Sequence, residues 1–252
     1  MNKKDLLLLE NAIISYGVVV TFEQLQKEAQ KFTQSEQYIH KWIDSLIKKG
    51  WLVRLKRKLY FITSMESLGS VTVSPMVIAQ NLEPQSYVSC EAALQYHGMF
   101  DQLLQTVRSV TTEKQQSRTI QGIYYQFIRT QAKYYFGFTQ EVVENNYVNI
   151  ATPEKALLDL LHFDRTFRSV DIVKEKLQEH YHNLNISQLI VFLEKEQTLV
   201  QRMMGFLFDQ QGIDFQEIHA FVSHKKGYSK MTTDSTEFNA KWRLYYHSHF
   251  RK

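Results

Sequence analysis

Three short helical patterns, each with its own start and stop signal, fill the first fifty residues and run directly into two β-rich runs. Leu6, Leu9, Ile13 and Tyr16 recur at helical spacing, and Gly17 ends the pattern where a left-handed residue is favoured. Val18-Val19-Val20 is a short β-like run. Thr21, with Gln24 three residues on, forms a capping box for a second helix burying Phe22, Leu25, Ala29 and Phe32. Thr33 or Ser35 starts a third, whose apolar stripe is Ile39, Trp42, Ile43, Leu46 and Ile47, and Gly50 stops it. A strand over 51–55, the basic turn Lys56-Arg57-Lys58 and a strand over 59–62 complete the segment. Helix, helix, helix, hairpin is the order of a winged helix-turn-helix module.

The charge distribution suggests what such a module would touch. Residues 1–62 carry eleven Lys and Arg against six Asp and Glu, while the rest of the chain carries nineteen against twenty. The basic excess therefore sits in the first quarter, where an anionic partner is expected. The third helix keeps Gln34, Ser35, Gln37, Tyr38, Lys41 and Ser45 off its apolar stripe. Gln can read adenine with two bonds, and Lys and Tyr reach phosphates or base edges. Lys48, Arg54, Lys56, Arg57 and Lys58 are the expected phosphate contacts, the hairpin lying over the neighbouring backbone. A basic hairpin can also be a solvated loop, and modules of this order bind proteins too. The charge excess favours DNA.

The 252 residues suffice for two domains, and 22% charged with 44% hydrophobic content is ordinary for a globular chain. Cys90 is the single cysteine, which excludes an intramolecular disulfide and fits a reducing, cytoplasmic setting. Glu10 and Asn11 interrupt the leucines near the start and no small-x-small site follows, so no signal peptide is expected. Nothing approaches a membrane-spanning run.

Residues 63–73, rich in Ser and Thr, read as a linker to a larger domain over 74–252. Pro75 starts a helix with Met76, Ile78, Ala79 and Leu82, and Ser89 is the expected cap of another running to His97. Strands are expected over 106–112, 123–128, 134–143 and 147–150. Thr152-Pro153-Glu154 is a helix start ahead of the stripe Ala156, Leu157, Leu160 and Leu161. Helices over 170–181, 187–193 and 198–210 and a last strand over 242–246 follow. The fold class is α+β: an N-terminal winged helix-turn-helix and a larger mixed α/β C-terminal domain. Arg108, Lys114, Arg118, Arg129 and Lys133 are candidates for extending a basic surface onto that domain.

Little here points to catalysis. No phosphate-cradling glycine loop and no zinc-type Cys/His spacing occurs, and the pairs His180/His182 and His247/His249 point apart on a helix. Cys90 in a helix's first turn reads as a small core residue rather than a nucleophile. Glu113-Lys114 at a strand end resembles a nuclease acid and lysine, without the upstream acid that would help hold a metal. The expectation is a non-enzyme without metal or cofactor. A ligand-sensing transcription factor and a nuclease targeted by a winged helix are the rival readings.

Residues 86–98, Ser86-Tyr87-Val88-Ser89-Cys90-Glu91-Ala92-Ala93-Leu94-Gln95-Tyr96-His97-Gly98, resemble the "SYIS-x-E-SAL-x-x-HG" segment of the AbiEi antitoxins of type IV toxin–antitoxin systems. Ser109-Val110-Thr111-Thr112 is similar to that family's "SVTT" strand. Residues 150–159, Ile150-Ala151-Thr152-Pro153-Glu154-Lys155-Ala156-Leu157-Leu158-Asp159, resemble its "IA-x-PEKALLDLL" block. Met204-Gly205-Phe206-Leu207 and Lys241-Trp242-Arg243-Leu244 look like weaker late motifs. The wing departs from the pattern, since Lys58 stands in Arg57-Lys58-Leu59-Tyr60 where the family usually has glycine, and Met203-Met204 replaces a common Arg-Leu pair. The resemblance implies an autorepressor that binds inverted repeats in its own double-stranded operator. It further implies a C-terminal domain that neutralises a nucleotidyltransferase-like toxin without a stable complex, in abortive infection against phage. Such a protein is expected to be a monomer in solution that binds DNA cooperatively.

Overall fold

The computed structural model describes residues 2–251. Helix α1 (Lys3–Tyr16) opens with a capping box, in which Asn2 Oδ1 accepts from the Asp5 amide and Asp5 Oδ2 accepts from the Asn2 amide. Its buried side chains are Asp5, Leu8, Leu9 and Ala12, with Tyr16 half-buried. Leu6 and Ile13, expected inside, are exposed. The apolar face is one residue out of register with the expectation because Asp5 occupies a core position. Asp5 is tolerated there because Trp42 Nε1 donates to it at 2.7 Å and Lys49 lies 3.6 Å away. Burial works to raise the Asp5 carboxyl, but the bonds from Trp42 and Asn2 and the charge of Lys49 hold it below its ordinary value of 3.8. Its stabilisation is therefore present above that pH and is lost as acid titrates the folded carboxylate. Asp5→Ala should cost about 1–3 kcal/mol, since it removes the reciprocal half of the capping box and strands the Trp42 N–H in the core. Urea unfolding of the two proteins at neutral pH measures this.

Strand β1 (Val19–Thr21) leads into α2 (Phe22–Ala29), where Thr21 and Gln24 form the expected box. Ser35, not Thr33, caps α3 (Glu36–Lys48) by accepting from the Tyr38 amide. Strands β2 (Leu52–Lys56) and β3 (Leu59–Ile62) form an antiparallel hairpin, and β1 pairs with β3. Lys58 adopts φ +61°, so the turn keeps the left-handed geometry that glycine usually serves.

The larger part begins with α4 (Pro75–Leu82), β4 (Ser86–Ser89) and α5 (Cys90–Tyr96). Then come β5 (Thr106–Thr111), β6 (Arg118–Ile120), β7 (Ile123–Arg129), β8 (Phe138–Val143) and β9 (Asn146–Ala151). These strands make one mixed sheet in the order β6-β7-β5-β4-β9-β8. Helix α6 (Pro153–Asp159) continues into a π-helical turn, Leu160–Asp164, and α7 (Phe167–His180), α8 (Ile186–Lys195), α9 (Thr198–Gln210) and α10 (Gln216–Ser223) follow. Short strands β10 (Ser229–Lys230), β11 (Glu237–Asn239) and β12 (Leu244–Tyr246) form a third sheet. The fold is a mixture of α and β built on three sheets. No helix among the described residues is long and apolar enough to cross a membrane.

Two apolar cores result, and the β2–β3 hairpin feeds both. Leu52, Tyr60 and Ile62 join the core under α1, α2 and α3, whereas Leu55, Leu59 and Phe61 join the larger core. Alternation along a strand puts successive side chains on opposite faces, so the hairpin is the shared wall. A β-bulge between Arg54 and Lys56 breaks the alternation, and Lys56 reaches across to the Leu82 carbonyl at 2.7 Å. Arg118 extends to the Leu55 carbonyl from the other side. The segment after residue 62 is stapled rather than loose: the Gly69 amide bonds the Gly50 carbonyl, and Gln121 bonds both the Val71 amide and the Gly69 carbonyl.

Candidate nucleic-acid interface

Helix α3 buries Ile39, Trp42, Ile43 and Leu46 and turns the opposite stripe outward. On that stripe Gln37, Tyr38, Lys41 and Lys48 are exposed and Ser45 is half-buried, while Gln34, exposed, lies just ahead of the helix with its Nε2 donating to the Gln30 carbonyl. Ser35, also exposed, spends a lone pair on the helix cap. Thirteen residues make a rod of about 20 Å, long enough to lie along a duplex groove. Tyr38 leans towards Trp42, their ring centroids 6.1 Å apart, which restricts where its hydroxyl can swing.

One flank of the helix faces the hairpin across a cleft of about 380 Å³. His40 and Asp44 line it from the helix, and Arg54, Arg57 and Lys58 from the hairpin. His40 stacks on Phe22 at 4.6 Å. Sequence reasoning passed over this flank, because the side on which an acid emerges depends on the docking angle of hairpin and helix. Asp44 lies 3.9 Å from Arg54, and Glu23 accepts from Lys58 at 2.8 Å. Both cations are thus part-neutralised, although these exposed pairs are weak and can exchange for a phosphate.

The expected phosphate set therefore divides. Lys56 departs from its expected role: it is half-buried, bonded to Leu82, and burial pushes its ammonium down. It ties the hairpin to the larger core instead of pointing outward. Lys41, Lys48 and Arg57 have no acid within ion-pair distance among the described residues and are exposed. The basic extension onto the second part is also reduced. Arg108 is held by Glu91 at 2.7 Å and Asp164 at 3.2 Å, and Arg118 turns inward to the hairpin. Lys114, Arg129 and Lys133 remain exposed.

The 86–98 and 150–159 blocks meet in a buried polar cluster. Asp159 Oδ2 accepts from Ser89 Oγ at 2.6 Å and Tyr87 Oη at 3.0 Å, while Lys155 Nζ lies 2.8 Å from Oδ1. Lys155 also reaches Glu196 at 3.1 Å, and His162 Nδ1 donates to Glu196 at 2.6 Å. Ser89 is thereby corrected as a cap, since its hydroxyl goes to Asp159 and makes no cap bond to α5. Burial raises the Asp159 carboxyl despite Lys155. Burial opposes the charge on Lys155, yet Asp159 and Glu196 outweigh it and raise the ammonium. Burial likewise opposes Glu196, yet His162 and Lys155 hold its carboxyl down. Burial pushes the Cys90 thiol well up and it is fully enclosed, which leaves it no thiolate to react. Glu113 is exposed, and no group of three or more metal-capable side chains gathers among the described residues.

No protein-family model matches the chain, and neither does any curated protein. Among solved structures, the fold is similar to that of the RV2827C protein from Mycobacterium tuberculosis. The TM-score is 0.70 over 97% of this chain and 91% of that one, at 14% identity. At that identity the likeness extends to the fold.

Proposed function

We propose that residues 1–62 form a winged helix-turn-helix that binds double-stranded DNA, with α3 in the major groove and the β2–β3 hairpin against the backbone. The observation that carries this reading is the outward stripe of Gln37, Tyr38, Lys41 and Lys48 with unpaired Arg57 beside it. Gln37 and Gln34 are the base readers, and Lys41, Lys48 and Arg57 the phosphate contacts. The part over 74–252, joined by the linker over 63–73, then acts as the antitoxin half of an autorepressor of the AbiEi kind. Support for that half is the sequence resemblance, together with the convergence of its two main blocks in one buried cluster. The toxin would be a nucleotidyltransferase-like protein acting in a cytoplasmic type IV system.

The test is binding to the chain's own upstream DNA against scrambled DNA across a salt series. Tight, salt-steep binding that prefers upstream repeats is expected. Alanine at Lys41, Lys48 or Arg57 should each lower the log–log salt slope by about 0.9. Lys56→Ala should leave that slope unchanged, and Gln37→Ala should cost about 1–3 kcal/mol on the preferred sequence while sparing scrambled DNA. Equal weak binding to both DNAs would overturn the DNA reading. Co-expression with a neighbouring nucleotidyltransferase-like gene tests the antitoxin half separately, growth rescue being the expected result.

A further inference from the structure

A cleft of about 700 Å³ lies far along the chain from α3, at the carboxyl ends of β5 and β7. These two strands run parallel, with Thr111 opposite Arg129 at their last paired position. Crevices at the carboxyl ends of neighbouring parallel strands are where open α/β sheets gather ligands, because the loops diverge there and leave backbone and side-chain polar groups facing a gap. The volume is in the range of small-molecule sites.

The lining is chemically one-sided. Arg129 supplies a fixed positive charge, Thr130, Gln131 and Gln197 supply neutral hydrogen-bonding groups, and no Asp or Glu faces the cleft. Arg129 is oriented by its Nε, which donates to the Thr112 carbonyl at 3.2 Å and leaves the outer guanidinium nitrogens for a ligand. Lys133, between the lining residues Ala132 and Tyr134 in sequence, sits 4.6 Å over the Tyr134 ring. The floor is aromatic: His162 packs against Tyr134 at 4.6 Å and Phe163 at 4.4 Å. His162 and Phe163 are carried by the π-helical turn, a local irregularity that recurs at binding sites. The His162 ring is locked on both sides, Nδ1 donating to buried Glu196 and Nε2 lying 3.1 Å from the Gln197 amide nitrogen. An arginine beside the half-buried Phe163 ring, the edges of Tyr134 and His162 and neutral amides matches a ligand with a phosphate at one end and a planar ring at the other.

We infer that this cleft binds a free nucleotide, the phosphate on Arg129 and the base against Phe163, beside the edges of Tyr134 and His162. The inference goes beyond the DNA-binding reading and does not depend on it. Equilibrium dialysis of the full chain with each of the common ribonucleoside 5′-monophosphates tests it, with inorganic phosphate and the bare nucleosides as separate arms. At least one monophosphate should bind saturably and more tightly than phosphate or its own nucleoside. Arg129→Gln, an exposed change that spares the core, should weaken it at least about tenfold, while Lys41→Ala on α3 should leave it intact. The inference is overturned by no saturable binding up to millimolar nucleotide, or by phosphate binding as tightly as any monophosphate. It is equally overturned if Arg129→Gln has no effect, if Lys41→Ala abolishes binding, or if only single-stranded oligonucleotides bind.

Discussion

Replacing Lys155 by methionine should destabilise the protein by about 3–5 kcal/mol, with the loss shrinking in mild acid. Lys155 is wholly enclosed and is the cation that Asp159 and Glu196 share, at 2.8 and 3.1 Å. Methionine fills the same space and keeps the contact made by the ammonium over the Phe136 ring at 4.2 Å in shape but not in charge. Asp159 is then left in the core with only its neutral donors Ser89 and Tyr87 and is driven towards its neutral form, while Glu196 keeps His162. A carboxyl whose folded pKa is raised above its unfolded value makes the fold more stable as pH falls through the folded pKa. The variant should therefore lose less stability, relative to the parent, in mild acid than at neutral pH. The parent contains the opposite contribution from Glu196, whose depressed carboxyl stabilises above its ordinary value of 4.5 and loses that effect as pH falls through the folded pKa. Urea unfolding at a series of pH values measures both. A loss that is equal at every pH would show that the ammonium acts by packing rather than by charge.

The parts of this architecture that were legible in sequence are those fixed by local chemistry. Thr21 with Gln24, Ser35 ahead of α3, and Thr152-Pro153 ahead of α6 each satisfy orphan amides within one turn, so no distant partner is needed to read them. The stripe of α3 was legible for the same reason, since 39, 42, 43 and 46 define a face by spacing alone. What escaped depends on contacts across the chain. Asp5 is polar by identity and buried only because Trp42 comes to it from α3, which displaced the apparent face of α1. Lys56 belongs to a basic run by sequence and is withdrawn from it by the β-bulge and the Leu82 carbonyl. The run Leu59-Tyr60-Phe61-Ile62 did carry a signal: a strand apolar at every position must be covered on both faces. That coverage is the second core. Helix α10 was missed because its buried residues are Ile218 and Val222 alone, too few for a helical stripe. Strand β6, at three residues, is visible only through its pairing with β7.

Trp242→Ala should cost about 3–5 kcal/mol, the range for removing a buried aromatic side chain, and Gly205 should determine how that cost couples to α9. Trp242 is almost completely enclosed, donates Nε1–H to Asp209 at 2.6 Å, and meets His219 edge-on at 5.5 Å. Its six-membered ring lies against the α-carbon of Gly205, so closely that a methyl group there would overlap the ring. The two late motifs, separated in sequence, are therefore the two halves of one contact, through which the third sheet is held against α9. Gly205→Ala should destabilise by about 1–3 kcal/mol through overpacking, because the indole is tethered and cannot withdraw. In the Trp242→Ala background the ring is gone and only the helix propensity of the added methyl remains. There Gly205→Ala should reverse sign and stabilise by up to about 1 kcal/mol. A double-mutant cycle in urea reads the coupling directly. Additive effects would mean that the glycine serves the backbone of α9 rather than the seat of the indole.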